Sequence, residues 1–193
     1  NILVATSGDT GSAVANGFYK VEGINVIILY PSNKVSRIQE KQITTLDENI
    51  FSLEVDGTFD DCQNLVKQAF LNEKINASIT LSSANSINIS RLIPQTFYYF
   101  NAYSQLSQKS PVIFSVPSGN FGNLTAGIFS KFMGLPVEKF VASTNLNDTV
   151  PRYMQTGIYT PKASVETISN AMDVGNPSNM NRIFDIYNND LCL

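Results

Sequence analysis

Histidine and tryptophan are both absent from this chain of 193 residues. Without an imidazole, the sequence contains no Ser-His-Asp or Cys-His catalytic arrangement, and zinc loses its commonest nitrogen ligand. These absences exclude the hydrolases that depend on histidine, and we expect no metal site.

Cysteine is scarce, since only Cys62 and Cys192 occur. They lie too far apart for a CxxC metal or redox pair, and two cysteines in a chain of this length do not suggest a disulfide scaffold. Cys62 falls on the apolar face of a predicted helix, which is the ordinary position of a buried thiol. We therefore expect a protein of the reducing cytoplasm.

Basic clusters and long apolar runs are also missing. The chain has 13 basic and 16 acidic residues and a net charge of −3, so nucleic acid is not an expected partner. The longest apolar run, from Val26 to Tyr30, is far short of the roughly 20 residues that span a bilayer, so we expect no membrane partner. The N-terminus has no basic leader and no initiating methionine, and we expect the chain to be an internal fragment.

Short β-branched runs alternate with longer amphipathic stretches, as in parallel strands joined by crossover helices. This rhythm predicts an α/β fold with doubly wound parallel sheets. The predicted strands are 2–5, 25–30, 51–55, 79–81, 112–116 and 140–143, and the predicted helices are 11–20, 36–46, 58–72, 87–105 and 124–133. Pro94 lies within the longest predicted helix, which it should either kink or begin. A boundary near residue 85 divides the chain into domains of residues 1–85 and 86–193.

Three predicted strand-to-helix turns are rich in Gly, Ser, Thr and Asn. Such turns lie at the carboxyl edge of a parallel sheet, where ligands bind. The first reads TSGDTG and includes the candidate residues Thr6, Ser7, Asp9 and Thr10. Its glycines allow close backbone approach, and the following helix N-terminus favours an anion such as a carboxylate. An ordinary turn with Asp9 as helix N-cap is the alternative.

The second turn reads SGNFGN and follows the strand 112–116 directly. Successive backbone N–H groups at a helix N-terminus can hold a phosphate without a cationic side chain. The candidate residues are Gly119, Asn120, Phe121, Gly122 and Asn123. A purely structural turn would have the same composition.

The third turn reads SSANSINISR, with candidate residues Asn85, Ser86, Asn88 and Arg91. On a helix that begins near Ser86, Asn88 and Arg91 would share a face and could hold a second anion, because a guanidinium binds phosphate through paired hydrogen bonds. A polar first turn with a solvent-facing arginine is the alternative.

Six segments, in order along the chain, resemble blocks of the threonine synthase family. They read TSGDTG, YPSNKVSRIQEKQ, SANSINISRL, VPSGNFGN, TNLNDTVPR and AMDVGNPSN, and they span residues 6–179. The resemblance implies a fold type II enzyme of the tryptophan synthase β-like class. Its cofactor would be pyridoxal 5′-phosphate (PLP), and it would convert O-phosphohomoserine and water to threonine and phosphate.

The resemblance also implies a role for each candidate residue. The loop Gly119 to Asn123 would hold the PLP phosphate, with Asp9 near the PLP 3′-hydroxyl. The substrate carboxylate would meet Thr6, Ser7 and Thr10, and the substrate phosphate would meet Asn85, Ser86, Asn88 and Arg91. By the same resemblance, residues 1–85 form the smaller subdomain and residues 86–193 form part of the larger, phosphate-binding domain.

Residues in two further blocks that resemble the family have no single assigned role. Lys34, Ser36 and Gln39 match a block near the substrate phosphate without an assigned contact. Residues 147–149 either shape the active-site wall or form a capped turn.

Two functional groups of the family have no match here, and the partner of the pyridine nitrogen is expected beyond Leu193. The Schiff-base lysine is expected upstream of Asn1, so the chain contains no catalytic residue and needs the rest of its own polypeptide for a complete site. Two alternatives remain: another fold type II enzyme, such as a serine or threonine dehydratase or a cysteine synthase, and a noncatalytic anion-binding module. A dehydratase has no substrate phosphate for Arg91 to hold.

Overall fold

The computed structural model describes residues 1–86 and 88–188, which form two compact units. The first unit comprises Asn1–Asn85 and Ala163–Gly175, and the second comprises the described residues of Ser86–Lys162 together with residues 176–188. The sequence assigned 163–175 to the second domain, whereas in the structure this segment belongs to the first unit. Ser7 and Gln39 both form hydrogen bonds with it, to the Ala171 carbonyl (3.4 Å) and from the Asn170 amide (2.8 Å) respectively.

The first unit contains a parallel four-stranded sheet in the order β3-β2-β1-β4. The strands are β1 (Ile2–Ala5), β2 (Val26–Pro31), β3 (Ile50–Val55) and β4 (Ser82–Ser83), and the helices are α1 (Asp9–Phe18), α2 (Arg37–Thr44), α3 (Phe59–Leu71) and α4 (Glu73–Ser78). Central strands of parallel sheets are covered on both faces, so they are apolar throughout. Val4, Val26 and Ile28 are accordingly fully buried.

Capping boxes fix the starts of α2 and α3. The Ser36 hydroxyl accepts a hydrogen bond from the Gln39 N–H, and the Gln39 side chain accepts one from the Ser36 N–H. Thr58 and Asp61 make the same reciprocal pair at the start of α3. Each box satisfies two N–H groups that the helix itself cannot.

The second unit contains two parallel strands, β5 (Val112–Pro117) and β6 (Val137–Ser143). Its helices are α5 (Ile93–Ser104), α6 (Gly122–Phe132), α7 (Thr149–Thr156) and α8 (Met180–Ile186). Tyr99 of α5 packs edge-on against Phe114 of β5, with ring centroids 4.9 Å apart. With both sheets parallel and helices between the strands, the predicted α/β fold is confirmed.

Several predicted elements are wrong in their bounds, and two of them differ most from the structure. The long helix begins at Ile93 rather than near residue 87, and a short 3₁₀ turn, Ile89–Arg91, precedes it. Proline has no N–H to donate, so Pro94 is accommodated in the first turn of α5 but would break a helix that continued through it. The strand predicted at 79–81 is displaced to Ser82–Ser83, because α4 continues to Ser78 and Ile79 caps it.

Candidate functional site

Thr6 shapes the turn that follows β1. Its side chain is fully buried, and its hydroxyl oxygen accepts hydrogen bonds from the N–H groups of Gly8 (2.9 Å) and Gly11 (2.8 Å). One side chain thus ties both ends of the turn to the end of the strand. Thr6 therefore organises the backbone of residues 6–11 from inside the fold.

Both glycines of this turn are required by their surroundings. Gly8 has φ of +136°, and a Cβ there would collide with the Gln39 amide. A Cβ on Gly11 would lie 2.6 Å from the Thr6 Cγ2 atom. The chain can make this turn only where side chains are absent.

Asp9 is the first residue of α1, and Gly8 occupies the N-cap position, so the alternative of Asp9 as N-cap is wrong. The Asp9 carboxylate accepts a hydrogen bond of 2.7 Å from the Gln39 Nε2 atom. The Oε1 atom of Gln39 accepts from the Ser36 N–H (2.9 Å) and from the Asn170 amide (2.8 Å). Gln39 thereby fixes the direction of an exposed carboxylate at the start of α1.

Asn85 joins the end of β1 to the segment that follows β4. Its Oδ1 atom accepts from the Ala5 N–H (2.8 Å), and its Nδ2 atom donates to the Ala5 carbonyl (2.7 Å). The side-chain amide therefore pairs with the strand as another peptide group would. Since both ends of the amide are engaged and the residue is buried, Asn85 positions the turn 6–11 in this structure.

A small cavity of about 80 Å³ lies beside Ser7 in the first unit. Lys34 contributes to its lining, and its ammonium group is 3.8 Å from the Glu166 carboxylate. Both side chains are more than half exposed, so this ion pair contributes little stability. The complete lining is Ser7, Pro31, Lys34, Thr58, Phe59, Ser164, Glu166, Asn170 and Asp173.

The turn 118–123 of the second unit differs in construction. Phe121 adopts a left-handed conformation (φ 59°), while its ring is buried in the hydrophobic core. Helix α6 begins at the next residue, and the Thr125 N–H donates to the Phe121 carbonyl (3.0 Å). The N–H groups of Gly122, Asn123 and Leu124 precede this bond and have no acceptor within the helix. The first turn of α6 contains no acidic residue, so its electrostatic field favours an anion.

The two asparagine side chains of this turn are committed to protein partners. The Asn120 amide donates to the Ser86 hydroxyl (3.0 Å) and accepts from the Ser178 N–H (2.6 Å). Asn123 accepts from the Tyr99 hydroxyl (2.8 Å) and donates to the Gln95 side chain (3.2 Å). The backbone therefore supplies the donors that this turn offers to a ligand.

Arg91 lies on the 3₁₀ turn that precedes α5. The α-helix predicted to begin near Ser86 is wrong, because Asn88 caps a 3₁₀ turn with its side chain accepting from the Ser90 N–H (3.0 Å). Residues three apart still lie on one side of such a turn, so the shared face of Asn88 and Arg91 stays a prediction. Burial lowers the pKa of the Arg91 guanidinium, and Tyr98 acts in the opposite direction. A half-buried guanidinium that has lost part of its hydration is well suited to a phosphate partner.

The 147–149 segment leads into α7. The Asn147 N–H donates to the Asn145 side chain (3.0 Å), and Asp148 pairs with Lys162 (3.3 Å). Thr149 is buried at the helix start. These contacts explain the structure of the turn, and a role in the active-site wall stays a prediction.

Comparison with known proteins shows the family of the chain. The sequence profile of the family described as "Pyridoxal-phosphate dependent enzyme" matches residues 1–191. The chain belongs to this family. The expected cofactor, pyridoxal 5′-phosphate, is confirmed as that of the family.

Several similar proteins are named threonine synthase. Threonine synthase of Buchnera aphidicola subsp. Acyrthosiphon pisum is 55% identical over 188 residues, which cover 96% of this chain and 44% of the relative. The crystal structure of Escherichia coli threonine synthase superimposes with a TM-score of 0.94 at 53% identity, covering 97% of this chain and 44% of that one. The PLP-bound enzyme of Brucella melitensis superimposes with a TM-score of 0.81 at 39% identity, covering 98% and 41%. The threonine synthase resemblance and the fold type II class are thereby confirmed, and the chain spans less than half the length of these relatives.

Sequence reasoning missed two residues of the second unit. Asn179 is fully buried, and its amide donates to the Ser86 hydroxyl (2.8 Å) and to the Asn120 carbonyl (2.8 Å). Arg182 donates to the Ser86 carbonyl (2.6 Å). The block AMDVGNPSN contained the only signal, without any indication of what Asn179 would contact.

Neither a membrane-spanning helix nor a metal-binding cluster occurs in residues 1–86 and 88–188. Within that part of the chain, no helix is long and apolar enough to cross a membrane. The same residues contain no cluster of three histidine, cysteine or carboxylate side chains that could hold a metal ion. Cys62 is a free, buried thiol, and Cys192 lies outside the described residues.

Proposed function

We propose that this chain is the cofactor- and substrate-binding part of a threonine synthase, which converts O-phosphohomoserine and water to threonine and phosphate with PLP. The observation that carries the proposal is the 55% identity to a threonine synthase across 96% of the chain. That alignment spans the segment 82–91, whose Arg91 would have no substrate phosphate to hold in a dehydratase.

The first turn of α6 fits the phosphate of the cofactor. Its N–H groups at Gly122 and Asn123 lack helical acceptors, no acidic side chain lies in that turn, and the helix dipole favours a dianion. Gly119, Asn120 and Phe121 would contribute through the shape of the backbone, because the Asn120 amide is engaged elsewhere and the Phe121 ring is in the core. The bound cofactor would supply an electron sink for the substrate carbanion.

The turn 6–11 is proposed to receive the substrate carboxylate. Ser7 and Thr10 are partly exposed at the start of α1, whereas Thr6 is buried and would act by holding the turn in shape. Asp9 would face the cofactor 3′-hydroxyl, with its carboxylate oriented by Gln39. The N–H groups of Asp9 and Thr10, in the first turn of α1, would complete the carboxylate site.

The substrate phosphate is proposed to meet Arg91, with Ser86 and Asn88 nearby in sequence. The guanidinium would neutralise the phosphate and hold it through paired hydrogen bonds. Asn85 would contribute indirectly, because its amide is bonded to the backbone of Ala5.

The lysine that anchors the cofactor is proposed to lie outside these 193 residues, since the chain matches only 44% of the length of its bacterial relatives. These residues alone would then be inactive. We further propose a cytoplasmic location for the complete protein.

The test is a kinetic assay of the complete protein that contains this chain. We expect stoichiometric PLP and equal release of threonine and inorganic phosphate from O-phosphohomoserine. Deamination of L-serine or L-threonine without turnover of O-phosphohomoserine would support a dehydratase instead. A protein that binds phosphate but neither PLP nor these substrates would support a noncatalytic module.

A further inference from the structure

A buried polar network lies against the start of α6 in the second unit. Its centre is Asn179, which is fully buried and uses both ends of its amide. The Nδ2 atom donates to the Ser86 hydroxyl (2.8 Å) and to the Asn120 carbonyl (2.8 Å), while the Oδ1 atom accepts from Arg182 (2.8 Å). Every polar atom of this side chain therefore has a partner.

Arg182 fixes the orientation of that amide. Its Nη1 atom donates both to the Asn179 Oδ1 atom (2.8 Å) and to the Ser86 carbonyl (2.6 Å). Since a guanidinium can only donate, the oxygen end of the Asn179 amide must face Arg182. The two amide hydrogens are then directed at Ser86 and Asn120.

The network touches the first residue of α6. A Cβ on Gly122 would lie 3.4 Å from the Ser86 Cβ and 3.5 Å from the Asn179 Nδ2 atom. The neighbouring Ser178 also donates to the Asn120 Oδ1 atom, from its N–H (2.6 Å) and from its hydroxyl (3.1 Å). Residues 178 and 179 thus hold the turn before α6 through both the side chain and the backbone of Asn120.

We propose that Asn179 and Arg182 are positioning residues that preform the phosphate-binding turn at the start of α6 and hold Ser86 beside it. A turn that binds phosphate through backbone N–H groups must keep them aligned before the ligand arrives, or binding must meet the cost of ordering them. The alignment here is maintained by side chains about 60 residues further along the chain. This inference rests on the proposed function, which assigns the cofactor phosphate to that turn.

The test compares PLP with pyridoxal, which lacks the phosphate, on the complete apoprotein. Loss of a positioning hydrogen bond to a charged or buried group should weaken PLP binding by about tenfold or more and leave pyridoxal binding within about threefold. Asn179→Asp removes both amide donors but still offers oxygens to Arg182, and Arg182→Lys retains the charge with fewer directional donors. Asn181→Ala is the matched control, because Asn181 is an exposed residue on the same helix.

The dissociation constants are read from cofactor absorbance, alongside the urea midpoint of each apoprotein. We expect the preference for PLP over pyridoxal to fall in Asn179→Asp and, less strongly, in Arg182→Lys, while Asn181→Ala matches the wild type. If both ligands weaken equally and in proportion to stability, the two residues are merely structural and the inference fails. If the wild type itself does not prefer PLP over pyridoxal, the proposed cofactor site fails, and this inference fails with it.

Discussion

The turns 6–11 and 118–123 have the same local design and differ in where their hydrogen bonds go. Each follows a parallel strand and opens a helix, and each contains two glycines. In the turn 6–11, the buried Thr6 hydroxyl accepts hydrogen bonds from two N–H groups of the turn, and an acidic residue begins the helix. In the second, the turn is held from outside by Asn179, and the first helical turn carries no acidic residue.

Because of this difference, the two turns suit different anions. The negative charge of Asp9 in the first turn of α1 disfavours a dianion there, whereas the first turn of α6 has no acidic residue and its N–H groups suit a phosphate. A carboxylate carries less charge and needs fewer donors, which fits the first turn better. The ligand of a Gly-rich turn is thus predicted less well by its composition than by the side chains that accept hydrogen bonds from its N–H groups.

The largest expected effect comes from a substitution outside both turns. Arg91→Ala should weaken O-phosphohomoserine binding by about 2–5 kcal/mol, because a phosphate in a partly desolvated site would lose its bidentate cation. Cofactor content should stay at the wild-type level, since a different segment is proposed to hold PLP. Steady-state kinetics and cofactor absorbance measure the two properties separately.

The matched control is Arg37→Ala, which removes the same charge from an exposed residue at the start of α2. An Arg91→Ala enzyme with unchanged substrate affinity would remove the second anion site from the proposal.

The second prediction concerns a substitution that disrupts the turn 6–11 and leaves the turn 118–123 unchanged. Gly11→Val should destabilise the protein by about 1–3 kcal/mol, because its Cβ would be forced against the buried Thr6 side chain. The substrate KM should rise while PLP remains bound. Urea unfolding and a PLP titration test both parts.

Gly17→Ala on the same helix is the control, because a Cβ there meets nothing within 4 Å. It should stabilise α1 by about 0.5–1 kcal/mol, since glycine is a poor helix former. Loss of PLP in Gly11→Val would show that cofactor binding also depends on the turn 6–11.

The third prediction tests the second turn by graded size. At Gly122 a Cβ would lie at ordinary contact distances of 3.4–3.6 Å, so Gly122→Ala should retain PLP with little loss. Gly122→Leu must displace Ser86, Asn179 or Leu92 and should weaken PLP binding by about tenfold or more. Equal PLP affinity in the two variants, read from absorbance titration, would contradict the close packing at this residue.

The smallest expected effect concerns a residue behind the second turn. Burial raises the pKa of Tyr99 to about 12, and the single proton of its hydroxyl is shared between two acceptors on Asn123, the backbone carbonyl (2.9 Å) and the side-chain oxygen (2.8 Å). Tyr99→Phe should therefore cost about 1 kcal/mol at neutral pH. Urea unfolding of both proteins measures the difference.

The sign of the pH dependence follows from this raised pKa. An unfolded tyrosine loses its proton near pH 10 while folded Tyr99 keeps it to about 12, so the stability that Tyr99 contributes is lost as pH rises through that interval. Buried Cys62, with its pKa also raised to about 12, acts in the same direction in both proteins. The stability gap between wild type and Tyr99→Phe should shrink at alkaline pH, and a constant gap would refute the assignment.

The sequence predicted those features that depend on local patterns. Apolar runs such as 26–30 identified the central strands, and the composition of the three turns identified the segments that follow strand ends. The start of α5 was misplaced because the apolar pattern continues through residues that precede Pro94, and only the steric demand of proline ends it.

Contacts between distant residues could not be predicted. Gln39 reaches Asp9 across 30 positions, and Asn179 reaches Asn120 across 59, with no periodicity connecting them. The same holds for Asn85, which the sequence offered as a ligand for phosphate, whereas its amide is bonded to the backbone of Ala5.

A crystal structure of the complete protein with PLP tests the central claim most directly. We predict that the cofactor phosphate will accept hydrogen bonds of about 2.7–3.2 Å from the backbone N–H groups of Gly122 and Asn123, with the Asn120 and Asn179 side chains in their present contacts. A phosphate held at the turn 6–11, or held by lysine or arginine side chains away from α6, would contradict it.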